Sequence, residues 1–391
     1  MTGPAESARL CALLAIAFAL RCVAAWGVGE AGGLLFPDER SYDGLARGLV
    51  ETGQFGEEGG RAAWPPLYPV FLALLYSVFG PQPMAMRLAQ AFLGTATVWL
   101  AWRAARAAGG ARAGFWGALL VALWPHGTAY AGLLLTETLA TFLLMALLCL
   151  LSGASMRSSR SEAVGLVSGA VAGFLTLTRP SLVFLPIPLA FAWRARSGAS
   201  VRSLACLALA YGMVVGAWVA RNAAVVGAPV LTTKMGHDLY EGIGREADGG
   251  PIHDRVRWDR VGPGRTEVER NRGCRRSALA DATSDPWRVL ALVPVKWARF
   301  WNPFPNRSDW RRLAVAAGTA VPVLLWLPLA LVAASARGGA AGGRSLFWIP
   351  ALYLTAVHSV FLASIRYRLP AEVPLAVLAA CALAGRPRQG A

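Results

Sequence analysis

The sequence predicts an all-α polytopic membrane protein, and three observations carry that prediction. The 391 residues are 55% hydrophobic and only 15% charged, with a mean hydropathy of +0.46, too apolar for an ordinary soluble domain. About ten stretches approach the length of apolar helix that crosses a hydrocarbon layer, roughly 20 residues. Arginines then fall in alternate connections, as the excess of positive charge in cytoplasmic loops requires.

The stretches run over residues 9–27, 84–102, 113–132, 137–152, 163–178, 180–193, 203–220, 313–335, 345–362 and 369–384. The first contains Arg21 and has no small-x-small cleavage site before Glu30, so it reads as an uncleaved first span. With a cytoplasmic N-terminus, the inner loops hold Arg103, Arg106 and Arg112, then Arg157 and Arg160, then Arg194, Arg196 and Arg202. Arg337 and Arg344, and finally Arg386 and Arg388, continue the series. The chain then reads as one transmembrane domain of a cytoplasmic (inner) membrane, both termini inside, with two long outer segments, 28–83 and 221–311. In the second, Asp238, Glu241, Glu246, Asp248, Asp254, Asp259, Glu267 and Glu269 offset the arginines. Much of the net charge of +16 is topological arginine, which sets nucleic-acid binding aside.

Cys11, Cys22, Cys149, Cys206 and Cys381 lie in or beside spans, and Cys274 stands alone in an outer segment. No disulfide framework, cofactor motif or metal-ligand spacing is visible, and any divalent metal is expected to play no catalytic part. Gly32-Gly33 and Gly338-Gly339 lack the strand-turn-helix context of a phosphate loop. No acidic metal motif lies on the inner side, which argues for a lipid-linked rather than a nucleotide donor.

Polar residues within spans are costly and mark a site or a pairing. In this topology Arg87, Gln90, His126, Glu137, Arg179, Arg221, His358, Arg366, Arg368 and Glu372 all sit at outer ends, while the inner halves are almost free of them. Convergence at one level suggests chemistry at the outer leaflet; snorkelling of interfacial charges is the plain alternative. Midplane acids, paired broken helices and internal repeats, the marks of a transporter, are missing.

The first outer segment has its own logic. From Pro37, residues Tyr42, Leu45, Ala46, Leu49 and Val50 recur at helical spacing, predicting an amphipathic helix along the membrane surface. Asp38 and Glu39 occupy its first turn, where an acid caps the helix and complements its dipole. Capping accounts for one acid, not two. Neighbours on a helix point about 100° apart, so one acid is expected in the site and the other in a supporting role. After a glycine-rich loop and Arg61, Trp64-Pro65-Pro66-Leu67-Tyr68-Pro69 opens an apolar run to Phe79-Gly80. At about fifteen residues it is too short to span, so an interfacial or re-entrant helix is expected. His237-Asp238 and His253-Asp254 read as solvated loop.

The order Asp38-Glu39-x-x-Tyr42, a glycine-bearing loop, then Pro-Pro-Leu-Tyr-Pro before an apolar helix resembles the GT-C glycosyltransferases that use polyprenyl- or dolichyl-phosphate sugars. Within them it is similar to the protein O-mannosyltransferase and lipid A aminoarabinose transferase group. Leu135-Thr136-Glu137, Leu177-Thr178-Arg179-Pro180, Trp218-x-x-Arg221-Asn222, Asp285-Pro286-Trp287 with Lys296, and Arg366-Tyr367-Arg368-Leu369-Pro370 follow in the same order. The resemblance implies a GT-C-type helical fold and inverting transfer from a polyprenyl-phosphate sugar to an acceptor protein, lipid or glycan outside the membrane. It implies Asp38 as base or acceptor-orienting group, assisted by Glu39. Substrate and donor-phosphate contacts are assigned among Tyr42, Arg61, Tyr68, Glu137, Arg221, Lys234, Lys296, Arg366 and Arg368, because a departing phosphate needs cationic hydrogen-bond donors. A lipid-sugar flippase or small-molecule transporter, or a membrane scaffold, are the alternatives.

Overall fold

The computed structural model describes residues 3–30, 33–57, 60–153, 158–304, 320–335 and 341–385, and the regular structure among these is helical apart from one bridge between Glu57 and Gly60. Arg157, Arg337, Arg386, Arg388, residues 305–311 and residues 313–319 lie outside the described set.

Helix α1, Pro4–Glu30, contains the arginine that interrupts the first apolar stretch. Arg21 is 1% exposed; its guanidinium donates to the carbonyls of Ala17 (2.9 Å), Val121 (3.1 Å) and Ala122 (3.4 Å). Two of these are the last carbonyls of the helix that ends at Ala122, so the arginine caps a neighbouring helix, a favourable place for a cation. Gly94 makes room for it: a Cβ there would stand 2.6 Å from Arg21 Nε.

Helix α2, Pro37–Thr52, follows the expected stripe, with Tyr42, Leu45 and Ala46 buried and Val50 exposed. Helix α3, Leu67–Phe79, has 13 residues and is bent by 119° from α4, Pro83–Ala122. In α4 the stretches expected at 84–102 and 113–132 meet without a loop: the backbone leaves helical geometry only at Gly110, φ 80°, a left-handed value open to glycine. The second arm folds back on the first so closely that a Cβ on Gly117 would lie 2.7 Å from Ala105 Cβ. Pro125 then starts a short helix, α5, Pro125–Ala131, and α6, Glu137–Gly153, begins at the acid.

Helix α7, Ser158–Thr178, packs on α9, Val201–Val226, through Gly165, Gly169 and Gly173, whose added Cβ atoms would clash with Ser203, Leu207 and Val214. Small residues at four-residue spacing let two membrane helices approach backbone to backbone. The stretch 180–193 is not one continuous helix. A 3₁₀ turn, Pro180–Leu182, is followed by α8, Pro186–Ser197, of 12 residues, because Pro180 and Pro186 each lack the N–H that continues a helix.

The described part of 221–311 after α9 folds as α10, Met235–Ile243, α11, Trp258–Val261, α12, Glu267–Ser284, and α13, Pro286–Phe300. A π-helical turn, Pro322–Trp326, leads into α14, Leu327–Ser335, followed by α15, Ala341–Val360, and α16, Ile365–Ala384. Helix α16 is the axis of the main core: 83% of its apolar window is buried, against 22% for α1. Among the described residues four helices are each long and apolar enough to cross a membrane (α1, α7, α9, α16), and α3 with α4 makes a fifth by length and composition. Of the other expected spans, 137–152 forms a shorter helix and 180–193 a broken one, 345–362 lies in the 20-residue α15, and 313–335 is described only from residue 320.

Candidate active site

Helix starts from distant parts of the chain meet at one end of the bundle. The first turn of α2 brings Asp38, that of α6 Glu137 and that of α16 Arg366, while Arg179 sits just before the 3₁₀ turn. Free N–H groups and the positive end of the dipole at such starts favour anions. Arg366 Nη1 donates to Asp38 Oδ2 at 2.6 Å, and its Nε donates to Glu137 Oε1. Arg179 Nη1 stands 3.5 Å from the same Glu137 oxygen, and its guanidinium lies 5.4 Å from the Tyr367 ring centroid. Tyr367 stacks on His358 at 4.8 Å. The Asp38 side chain is 34% exposed and Arg366 19%, whereas Glu137 is 1% exposed. The open carboxylate therefore lies above a buried one, with one guanidinium holding both.

The two acids of the first loop separate as helix geometry requires. Glu39 is fully buried; Oε1 accepts the N–H groups of Leu35 and Phe36, each at 2.9 Å, and Oε2 accepts that of Leu134 at 2.8 Å. Glu39 thus caps α2 and fixes it to the loop before α6, which leaves Asp38 free to face Arg366. Tyr42 is buried edge-on between Trp64 and Tyr68, 5.0 Å from each ring centroid. The Tyr68 hydroxyl donates to Gln90 Oε1 at 3.0 Å, so both tyrosines support the wall of the site.

Lys234 reaches the site from the connection between α9 and α10. A clasp delivers it: Thr233 N donates to Ala62 O (2.9 Å) and Thr232 Oγ1 to Ala63 O (2.6 Å). Glu267 receives the N–H groups of Arg61 (2.8 Å) and Ala62 (3.1 Å) and the hydroxyl of Thr233 (2.6 Å). The Lys234 ammonium then rests 3.2 Å from the centroid of Trp64. Burial lowers its pKa, opposed by Asp238 and Asp38. No carboxylate pairs with it directly among the described residues.

The remaining basic candidates lie elsewhere. Arg61 is exposed in the clasp loop. Arg221 Nη1 donates to Arg61 O (2.6 Å) and Nη2 to Phe55 O (2.9 Å), so it ties that loop together. Lys296 is fully buried, donating to Ser359 O (3.0 Å) and Val360 O (2.7 Å) at the end of α15. Arg368, also fully buried, bonds Glu372 and the carbonyls of Phe300 and Asn302 beneath the site. The polar level at the span ends is thus largely helix-to-loop pairing: Arg87 similarly donates to Gly132 O and Gly33 O, and His126 to Glu372. Among the described residues no group of three or more His, Cys, Asp or Glu stands close enough to hold a metal ion.

Two members of the cluster had no site role assigned from the sequence. Arg179 carried a signal, a charge at the end of an apolar run before proline. Asp238 was read as solvated loop, yet its α10 turn faces the site. Asp238 keeps exposed surface, and desolvation by the groups packed around its carboxyl, then Glu241 and Asp38, push it up to about 7, with Lys234 opposing. A shift in that direction moves the gain of negative charge beside Lys234 toward neutral pH. If the site takes a phosphate, turnover falls as pH rises through 7, and Asp238→Asn flattens that limb of the pH–rate profile. An unchanged profile in the variant removes Asp238 from the site.

The family model for dolichyl-phosphate-mannose-protein mannosyltransferase matches residues 63–225. A search of curated proteins found no match. Among solved structures, the archaeal oligosaccharyltransferase AglB from Archaeoglobus fulgidus, in complex with an inhibitory peptide and a dolichol-phosphate, aligns with a TM-score of 0.59 at 14% identity. The alignment covers 97% of this chain and 50% of that one. Its apo form aligns with a TM-score of 0.56 at 13% identity over 96% and 50% of the two chains. The chain thus shares the fold of that oligosaccharyltransferase and spans about half its length. ArnT from Cupriavidus metallidurans bound to undecaprenyl phosphate gives a TM-score of 0.47 at 14% identity, over 95% of this chain and 77% of that one.

Proposed function

We propose that this chain transfers a sugar from a polyprenyl-phosphate carrier to an acceptor hydroxyl at the outer face of a cytoplasmic membrane, inverting the anomeric carbon. The observation that carries the reading is the partly open Asp38 carboxylate held by Arg366 within a cluster of cations. The acceptor oxygen attacks the anomeric carbon, the bond from that carbon to the phosphate oxygen breaks, and its electron pair leaves with polyprenyl phosphate. Asp38 takes the acceptor proton, a role worth about 10²–10⁴ in rate. Arg366 orients that carboxylate, and Lys234 and Arg179 are the cations best placed to neutralise the departing phosphate, the electrostatic contribution that dominates such transfers. Glu137, buried between Arg366 and Arg179, keeps both guanidinium groups in position.

Sidedness has independent support. Glu6 at the start of α1 pairs with Arg106 at 2.8 Å, and Arg196 donates to Leu151 O near the end of α6. Cys381, near the end of α16, adjoins Gly109 and the charge of Arg344. The shared position of both ends of the described chain with arginine-bearing turns, away from Asp38, supports reading that end as the cytoplasmic one. The test is to incubate purified protein and acceptor fractions with a panel of polyprenyl-phosphate sugars and follow polyprenyl phosphate by mass spectrometry. Release together with sugar-modified acceptor supports transfer. Movement of intact lipid-linked sugar across sealed vesicles, without release, replaces it with a flippase.

A further inference from the structure

At the end of the bundle opposite Asp38, a cavity of ≈ 380 Å³ opens between the first turns of α1 and the two arms of α4. It owes its shape to Gly110, where α4 reverses: Trp102 lies on one arm and Arg112, Phe115 and Trp116 on the other. Gly114 lets the arms close around an indole, since a Cβ there would stand 3.2 Å from Trp102 Cδ1. At a rise of about 1.5 Å per residue, Arg9 lies roughly 30 Å along α1 from Glu30, so this is not an extension of the Asp38 site.

The lining divides sharply by chemistry. Glu6 is the acid present, and it is paired with Arg106, which also lies over Trp102 at 5.5 Å. Arg9 and Arg112 are exposed at the mouth and make no ion pair among the described residues, leaving two uncompensated positive charges. Behind them the walls are Leu10, Leu13, Phe115 and the two tryptophans. Beyond the cavity α1 carries an outward apolar face, with Ile16 47%, Leu20 38% and Val23 71% exposed. Two cations over an aromatic floor that continues into an apolar helix face match a molecule with an anionic head and a hydrocarbon tail. A soluble anion would gain nothing from the floor.

We propose that this cavity is a binding site for an anionic phospholipid, its phosphate between Arg9 and Arg112 and its acyl chains over Leu10, Leu13 and Phe115 along α1. Arginine forks suit phosphate oxygens, and indoles favour the boundary between headgroup and hydrocarbon. Interfacial arginines also attract anionic bilayers without any site, so the test must separate a built cavity from surface charge.

The full-length protein in detergent is titrated with phosphatidylglycerol or phosphatidylcholine, and retained lipid is counted by native mass spectrometry. The expected result is saturable retention of about one phosphatidylglycerol over phosphatidylcholine, weakened about fivefold by each of Arg9→Gln and Arg112→Gln. Arg202→Gln, which removes an exposed arginine outside the cavity, leaves it unchanged. Equal retention in the double variant, or equal loss in Arg202→Gln, overturns the proposal. Full displacement of the lipid by millimolar inorganic phosphate also overturns it, because the acyl contacts would then contribute nothing. Thermal melting of each variant checks folding, and Trp102→Phe provides a second probe that changes the floor while keeping both charges.

Discussion

Asp38→Asn is expected to lower kcat/KM for sugar transfer by about 10²–10⁴-fold while leaving the protein folded and inserted. An Asn carbonyl still accepts from Arg366, so the guanidinium bridge between α2 and α16 survives the change. The variant loses only the ability to take a proton and one unit of charge. Stability should move by no more than about 1 kcal/mol, since Asp38 is partly exposed and solvent screens its pair. Glu39→Gln is the contrasting control. Glu39 uses its carboxylate oxygens to hold three backbone N–H groups, and removing that charge in a buried position weakens the start of α2 by about 1–3 kcal/mol. Its effect on rate is secondary to melting. Single-turnover rates with a saturating lipid-linked donor, measured beside melting curves, separate the two: full activity in Asp38→Asn rejects Asp38 as the base.

The separation of these two acids was legible because it depends on local geometry alone. A 100° step and a helix start after Pro37 force neighbouring side chains apart, and the apolar stripe at Tyr42, Leu45 and Ala46 fixes which face turns inward. Glu137 and Arg366 were visible for a similar reason, as charges at the ends of apolar runs. Which cation meets which acid was not visible. Arg366 and Glu137 are 229 residues apart, and nothing local distinguishes Arg366, which reaches the site, from Arg368, two residues on and on another face. The fold shows the same division. Helicity and apolarity were readable, but hydropathy windows understate α16, whose Arg366, Arg368 and Glu372 are polar because their partners lie on other helices. They overstate 180–193, where prolines break the helix. Gly110 lay within a stretch read as a loop, although the helix continues to it and reverses there.

Arg368 provides the second large effect, and one that separates a strut from a ligand. Its guanidinium donates to Glu372 Oε1 at 2.8 Å, to Phe300 O at 2.8 Å and to Asn302 O at 3.1 Å, with no exposed surface. Glu372 in turn accepts from Trp124 Nε1 at 2.8 Å and meets His126 Nδ1 at 2.9 Å, so one buried carboxylate joins α16 to the residues on either side of Pro125. Arg368→Met removes the arginine's charge and leaves the acid with Trp124 and His126, along with two backbone carbonyls that lose their donor. Breaking a buried pair from one side is destabilising by about 3–5 kcal/mol, because the surviving charge has lost its compensation. Arg368→Met/Glu372→Met removes both charges and should recover part of that loss, the remainder reflecting the carbonyls and the Trp124 and His126 donors left unpaired. Unfolding in mixed micelles measures the two variants on one scale, and donor binding is measured on the fraction that stays folded. If Arg368→Met keeps its stability but loses donor binding, the arginine contacts the lipid phosphate and the buried network is incidental. The opposite pattern makes it a strut beneath the site, acting on catalysis only through the position it gives to Arg366.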